Sequence, residues 1–459
     1  MTDLAPLPEL SGKISGGVVR PGDADYDDAR SVHNAMIDRH PVLIARCASV
    51  TDVRAALEAG RRSGLPVAVR GGGHNGPGFG TVDGGIVIDL SPMHAIEVDP
   101  QRRTVRVQGG ATWHAVDAAT HEHGLATVSG IISSTGVGGL TLGGGHGYLS
   151  RRHGLTIDNL LEAEVVLADG AIVRASEDEH PDLFWALRGG GGNFGIVTSF
   201  IFRLHPVRNV ICGPTAWPIS AMGDVLKWYR EFLPSQDDDM YGFFAAMTVP
   251  PVETFPEAFH LHKACAVVWC YLGDPADAGE AFAPIRAMEP AFDGIHEAPF
   301  PGLQSAFDGL YPKGLQWYWR GDFFRTIPDA AVDAHVTFSE ELPTMHSTMH
   351  IYPVDGAVNR VPAGDTPWSY RDATFSQVIV GVDPDPAMAD TIKRWTVGYS
   401  EATHPYSTGA AYLNFMMGDE GEERVRATYG GNYERLRQIK ATYDPHNLLR
   451  VNHNIPPAM

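Results

Sequence analysis

The run Arg70-Gly71-Gly72-Gly73-His74-Asn75 is followed by Gly136-Val137-Gly138-Gly139, by Gly143-Gly144-Gly145-His146-Gly147 and by Gly189-Gly190-Gly191-Gly192-Asn193-Phe194-Gly195. Glycine has no Cβ and reaches positive φ cheaply, so loops of this kind bring successive backbone N–H groups against a ligand's phosphates. One such loop is weak ground for a cofactor. Several in one chain are hard to explain as ordinary turns, and their spacing points to a flavin.

Around these loops the pattern alternates between helix and strand. Thr51 to Ser63 reads as a helix with Thr51 as N-cap, Val53, Ala56 and Leu57 on one face and Gly64 as its stop. A strand from Leu65 to Arg70 delivers the first glycine loop. Short strands follow at Ile86 to Ile88, Ala95 to Val98 and Thr104 to Val107, with a helix from Thr112 to His123 closed by Gly124. Strands are also expected at Glu164 to Ala168 and Ile196 to Arg203, and this module ends near His205-Pro206. From Val210 to about residue 400 the glycine clusters stop, and runs such as Gln316 to Trp319 and Gln377 to Val382 predict a second domain with its own sheet. Pro250-Pro251 and Pro299 to Pro301 read as long loops. Tyr433, Leu436, Ile439 and Tyr443 keep helical spacing up to Asp444-Pro445.

The 459 residues are enough for two or three domains. A formal charge of −20 argues against nucleic acid, which needs clustered Lys and Arg. Cys47, Cys212, Cys265 and Cys270 are too scattered for a disulfide framework, and the odd spacing of the last two sends them to opposite faces of a strand. The first ten residues lack a signal-peptide pattern and no long apolar run occurs, so a cytoplasmic enzyme with no membrane partner is expected. Gly136-Val137-Gly138-Gly139-Leu140-Thr141 lacks the last glycine of a dinucleotide fingerprint, and no Walker loop is present. His121-Glu122-His123 and the strand-like His260-Leu261-His262 do not match a zinc motif, so no metal site is expected.

Taken together, the chain resembles the vanillyl-alcohol-oxidase-like flavoproteins with a PCMH-type FAD domain, and within them the berberine bridge enzyme-like group. The resemblance rests on Leu43 to Arg46, Arg70 to Asn75, Gly84 to Leu90, Gly143 to Leu149, Gly154-Leu155 with Asp158-Asn159, Leu183 to Gly191, Tyr412 to Phe415, and Asn432-Tyr433 through Tyr443 to Asn447. It implies an α+β fold: a PCMH-type FAD-binding domain over residues 1–209 (core 38–209), and a substrate domain over 210–405 with an antiparallel sheet flanked by helices. A berberine-bridge-type segment over 406–459 would pack back on the FAD domain.

By the same resemblance His74 is the attachment point for covalent FAD, through the flavin's 8α-methyl carbon. The cysteine that provides a second tether in many relatives is replaced by Ile132, so one bond is expected. Arg70, Gly71, Gly72, Gly73, Asn75, Thr135, Gly136, Val137, Gly138, Gly139, Gly144, Gly145, Tyr148, Gly195, Val197, Asn452 and Asn454 complete the expected cofactor site. Thr135 occupies the place of a gatekeeper beside the oxygen-reactive carbon, and its near-isostery with Val favours dioxygen as acceptor. Removing a hydride is easier once the neighbouring hydroxyl or amine loses its proton, so a base is needed. Tyr412 is the first candidate, with Tyr318 and Tyr370 behind it and Arg320 as a further lining residue. The expected activity is oxidation of a small organic alcohol or amine, with dioxygen reduced to hydrogen peroxide, by a monomer or homodimer. A dehydrogenase with another acceptor and a flavin-binding protein without turnover are the alternatives.

Overall fold

The computed structural model describes residue 10, residues 12–253 and residues 255–459; the N-terminal stretch read above for a signal peptide lies almost wholly outside them. The fold is α+β. Leu43–Arg46 and Val67–Arg70 pair in parallel with Ile86–Asp89 between them, and Val18–Val19 adds an antiparallel edge. The helix Val50–Ser63 links the first two parallel strands and buries Val53, Ala56 and Leu57 against Leu43, Val67 and Ile86. Its N-cap is Ser49 rather than Thr51: the Ser49 hydroxyl accepts from the Asp52 N–H at 3.2 Å, satisfying one of the free amides of the first turn. Gly64 ends it in the left-handed region at φ 66°. Ile86–Asp89 is buried at every residue, as a parallel strand covered on both faces must be.

A second sheet is antiparallel, in the order Ile96–Asp99, Thr104–Gln108, Ile196–Arg203, Leu160–Val166, Ile172–Ser176. Phe200, Phe202, Val105 and Val107 from it share one core with the helix Pro181–Leu187 and with Val425, Tyr429, Tyr433, Leu436 and Ile439 of the helices Gly421–Tyr429 and Tyr433–Tyr443. The chain's end is therefore built into the first module. Lys440 fastens it: its buried Nζ donates to Asp444 Oδ2 at 2.6 Å, to the Asn193 carbonyl at 2.7 Å and to the Leu449 carbonyl at 2.9 Å.

The third sheet is antiparallel and includes Asn209–Pro218, Lys263–Tyr271, Met240–Thr248, Thr348–Pro353, Phe375–Asp383 and Gln316–Phe324, neighbours in that order. One face carries the helices Met222–Phe232, Asp329–Glu340 and Ala389–Thr403, and the other packs against Ala126, Val128, Tyr148 and Leu149 of the first module. Cys265 joins the helical side and Cys270 the opposite side, as their spacing requires. Two local expectations need correcting. Pro299–Pro301 is no loop: Pro301 sits in the first turn of the helix Phe300–Gln304, where its missing N–H is no loss. His260-Leu261-His262 is a turn, with Leu261 at φ 63° and so outside any strand. Tyr412 stands immediately before a 3-10 turn, Leu413–Phe415. No helix among the described residues is long and apolar enough to cross a membrane.

Candidate active site

The first two glycine loops touch backbone to backbone. A Cβ on Gly72 would stand 2.4 Å from Gly136 N, and one on Gly136 would stand 2.2 Å from Gly72 N. Only glycine at both positions allows the strand Val67–Arg70 and the helix Val137–Leu142 to present their loops side by side. The loops bound a cavity of about 300 Å³ between the first module and the helix-free face of the third sheet. It is lined by Arg70, Gly71, Gly72, Gly73, His74, Asn75, Thr135, Gly136 and Gly139 on one side. A narrower cavity of about 170 Å³ shares Gly71, Asn75 and Gly139 with it and continues past Gly138, Gly195, Val197, Asn452 and His453.

His74 lies against His33, ring centroids 4.0 Å apart and planes 18° from parallel. Ser134 Oγ is hydrogen-bonded to His74 Nε2 at 3.2 Å. Burial first, and then the neighbouring His33, push His74 down to about 3; burial likewise pushes His33 down to about 4. Both rings are neutral at pH 7, so His74 keeps the lone pair a nucleophile needs. Arg70 Nη2 is bound to Asp89 Oδ2 at 2.8 Å, while its buried Nη1 has no protein partner.

Tyr412 lines the same cavity, and its oxygen receives two hydrogen bonds, from the Gly145 N–H at 3.0 Å and from Asn414 Nδ2 at 2.6 Å. Burial holds the phenol above its ordinary pKa, and the two donors pull the other way. Next to Tyr412 stands His146, 4.7 Å between ring centroids. His146 is buried, both its nitrogens lack partners, and burial pushes it down to about 3. The third sheet adds Thr348, His350, Tyr352, Val378 and Val380, with His350 Nδ1 bonded to the Tyr352 hydroxyl at 2.5 Å.

Several residues expected at the site lie elsewhere. Tyr318 and Arg320 alternate with Trp317 and Trp319 along Gln316–Phe324; the tryptophans line the cavity, so period two sends Tyr318 to the far face, where its hydroxyl donates to Asp419 at 2.7 Å. Tyr370 donates to the Ala427 carbonyl at 2.8 Å. Val137 belongs to the first module's core, and Tyr148 packs between Tyr241 and Phe243. Gly144, Gly145 and Asn454 line neither cavity. The third glycine run works differently from a phosphate loop. Gly144 and Gly145, at φ 125° and 77°, have no room for a Cβ against Trp368 and Thr156, and they deliver His146 to the cavity and an amide to Tyr412. His146, His33, His350 and His453 went unread in the sequence. Only His146 carried a signal, a histidine set in glycines as His74 is.

The two adjoining cavities, which share lining residues, fit FAD. A Cβ on Gly139, which lines both, would meet no protein atom within 4 Å and would occupy their open space. Buried polar atoms without protein partners stand along them at Arg70 Nη1, Asn452 Oδ1 and His453 Nε2. An elongated molecule bearing an apolar ring system and hydrogen-bonding groups answers both features.

Comparison with known proteins agrees. Residues 41–176 match the FAD binding domain family and residues 411–456 the berberine and berberine like family. The chain is 31% identical to the FAD-linked oxidoreductase YgaK of Bacillus subtilis, over 97% of this chain and 98% of that one. It is 30% identical to (R)-6-hydroxynicotine oxidase of Paenarthrobacter nicotinovorans, over 97% of each. The crystal structure of 6-hydroxy-D-nicotine oxidase from Arthrobacter nicotinovorans superposes with a TM-score of 0.86 at 26% identity, covering 97% of this chain and 98% of that one.

Proposed function

This chain belongs to the berberine bridge enzyme-like, FAD-linked oxidoreductases, and from that premise we propose that it is an oxidase of small organic alcohols or amines with FAD held covalently on His74. The observation that carries this reading is that His74 and Tyr412 line one and the same cavity. When bound, FAD supplies the acceptor for the substrate's hydride and the route by which two electrons reach dioxygen as hydrogen peroxide.

The division of labour we propose follows the sheets. Residues 1–209 hold the cofactor, with Arg70 to Asn75, Thr135, Gly136, Gly138, Gly139, Gly195, Val197 and Asn452 about it. Residues 210–405 cap the substrate, and 406–459 return Tyr412 to the cavity. Neutral His74, steadied by Ser134 and the stacked His33, offers a ring nitrogen to the flavin's methyl carbon. Tyr412 handles the substrate's proton: the Gly145 amide and Asn414 already point at its oxygen, so negative charge developing there meets two donors that need no rearrangement. Thr135, small and β-branched, leaves dioxygen a way in. The name of the (R)-6-hydroxynicotine oxidase relative supports an oxidase over a dehydrogenase.

Acid precipitation of the holoprotein tests the tether. Flavin fluorescence stays with the pellet of the native chain and leaves with the supernatant of His74→Ala. An unmodified His74 peptide from FAD-replete protein refutes it. For the acceptor, flavin bleached anaerobically by substrate regains its colour promptly in air; slow recovery would mark a dehydrogenase.

A further inference from the structure

A third cavity, of about 390 Å³, adjoins the cofactor's at His74. His33, His74, Tyr311 and the loop from Arg70 to Gly73 line both, so the imidazole assigned to the flavin is itself part of this further wall. Ser134, bonded to His74 Nε2 at 3.2 Å, lines the new cavity and not the first, while its neighbour Thr135 lines the first and not the new one. The cavity opens outward, for Asp28, Ser91, Ser134, Pro312 and Lys313 along it are all exposed. A group bonded to the His74 ring therefore stands one residue's thickness from a pocket that a small molecule can enter from outside.

Two features decide what would enter. The deep end of the pocket is built of rings, His33 stacked on His74 at 4.0 Å between centroids and Tyr311 standing 5.5 Å from Trp317, surfaces that suit a flat conjugated molecule. The charges then settle the sign. Asp89 is taken by Arg70 and by the Ser91 N–H, and Asp308 by the Ser133 N–H and hydroxyl. Arg46 is taken by Asp25 at 2.8 Å. Lys313 is left facing Asp28 at 4.0 Å, both of them exposed, a pairing that solvent screens. Its charge nevertheless reaches the rings: after burial, Lys313 is what pushes His33 down to about 4. An incoming anion thus finds one loosely held cation beside neutral rings.

We propose, resting on the reading above that FAD is held on His74, that this cavity is a second electron exit: the docking site of a small anionic quinone that takes electrons in place of dioxygen. The quinone's two carbonyls become hydroxyls. Two electrons and one proton come from the reduced cofactor, the second proton comes from solvent, which received one when the substrate was deprotonated, and the cofactor is left oxidised. Lys313 draws the anion in, and His33 and Tyr311 hold its ring against the wall that His74 completes. Thr135 lines only the cofactor cavity, so the approach proposed for dioxygen stays separate.

The test needs no substrate. FAD-loaded native chain, Lys313→Glu, Lys313→Gln and Ser91→Trp are photoreduced without air and mixed in a stopped flow with the anionic quinone imine dichlorophenolindophenol, with neutral dimethoxymethylbenzoquinone, or with dioxygen. Equilibrium dialysis of anthraquinone sulfonate against the oxidised holoproteins reads binding apart from electron transfer. Turning a positive neighbour into a negative one within several ångströms of an anion, in a solvent-open site, is worth about tenfold at low salt. The rate with the anionic acceptor relative to the neutral one should therefore fall about tenfold in Lys313→Glu and by less in Lys313→Gln, and both losses should shrink as salt is raised. Affinity for the sulfonate should fall in step. Ser91→Trp, which fills the cavity, should slow both quinones more than dioxygen. An acceptor ratio unchanged in Lys313→Glu overturns the proposal. So does sulfonate bound equally by native chain and Lys313→Glu, no binding at millimolar concentration, or Ser91→Trp slowing dioxygen as much as the quinones. Failure of the underlying reading looks different: flavin leaves with the acid supernatant, or the photoreduced native chain is not reoxidised by air.

Discussion

Gly72→Ala and Gly136→Ala probe the contact on which the cofactor cradle stands. The new Cβ would lie 2.4 Å from Gly136 N and 2.6 Å from its Cα in the first case, and 2.2 Å from Gly72 N and 2.7 Å from its Cα in the second. Ordinary contacts between such atoms fall at roughly 3.5–4.0 Å, so each substitution must part the loops by about 1 Å. The obstacle is backbone, with no side chain able to rotate away. Both ends of the second loop are also tied, Trp113 N–H to the Thr135 carbonyl at 3.0 Å and Val137 N–H to the Ala111 carbonyl at 2.9 Å. Overpacking of this kind costs about 1–3 kcal/mol, and rigid backbone places each single variant near the upper end. Because both methyls open the same gap, the double variant should cost little more than either single, a coupling of about 2 kcal/mol. Denaturant unfolding of the apoprotein reads the stability, and flavin retained after acid precipitation reads the cradle. Gly139→Ala is the control: its methyl enters the cavity without touching protein, so the apoprotein stays within about 0.5 kcal/mol of native or gains from the better helix former, while flavin uptake falls. Additive costs in the double variant, or single variants as stable and as yellow as the native chain, refute the reasoning.

Three further outcomes follow from the same structure. Tyr412→Phe should lower kcat by about 10²–10⁴ at unchanged flavin content, read by stopped-flow bleaching; a smaller loss removes Tyr412 from proton handling. Lys440→Met leaves the Asp444 carboxylate buried without its cation and should destabilise the fold by about 3–5 kcal/mol, whereas Lys440→Met with Asp444→Asn should recover part of it; equal melting of the single and double variants contradicts this. Burial, the largest influence, raises Asp117 from 3.8 to about 7, with a bond from Gln304 opposing. A carboxyl whose pKa is higher in the folded than in the unfolded state favours folding below the unfolded value and loses that contribution as pH rises through the folded one. Stability should therefore decline between about pH 4 and pH 7 through this group, and Asp117→Asn should flatten that part of the melting-temperature profile; parallel profiles for the two proteins would show that Asp117 does not drive it.

What the residues alone determined was the local and the short-range. Gly64 as a helix stop, Ile196 to Arg203 as a strand, Tyr433 to Tyr443 as a helix and the opposed faces of Cys265 and Cys270 all follow from periodicity and from glycine's freedom, which act within a few residues. The cofactor was legible for the same reason, since several glycine runs and one histidine leave a mark that survives without coordinates. What only the tertiary structure decided was phase and encounter. Gln316–Phe324 announces a strand, yet nothing in its alternation says that Trp317 and Trp319 face the cavity and Tyr318 does not; that choice is made by pairing with Phe375–Asp383 and by packing against the first module. The meeting of Tyr412 with Gly145, of His33 with His74, and of His146 with Tyr352 joins segments far apart in the chain. Such contacts are set by how two modules close on one another, and an unpaired imidazole becomes visible as unpaired only when everything that could have paired with it is in place.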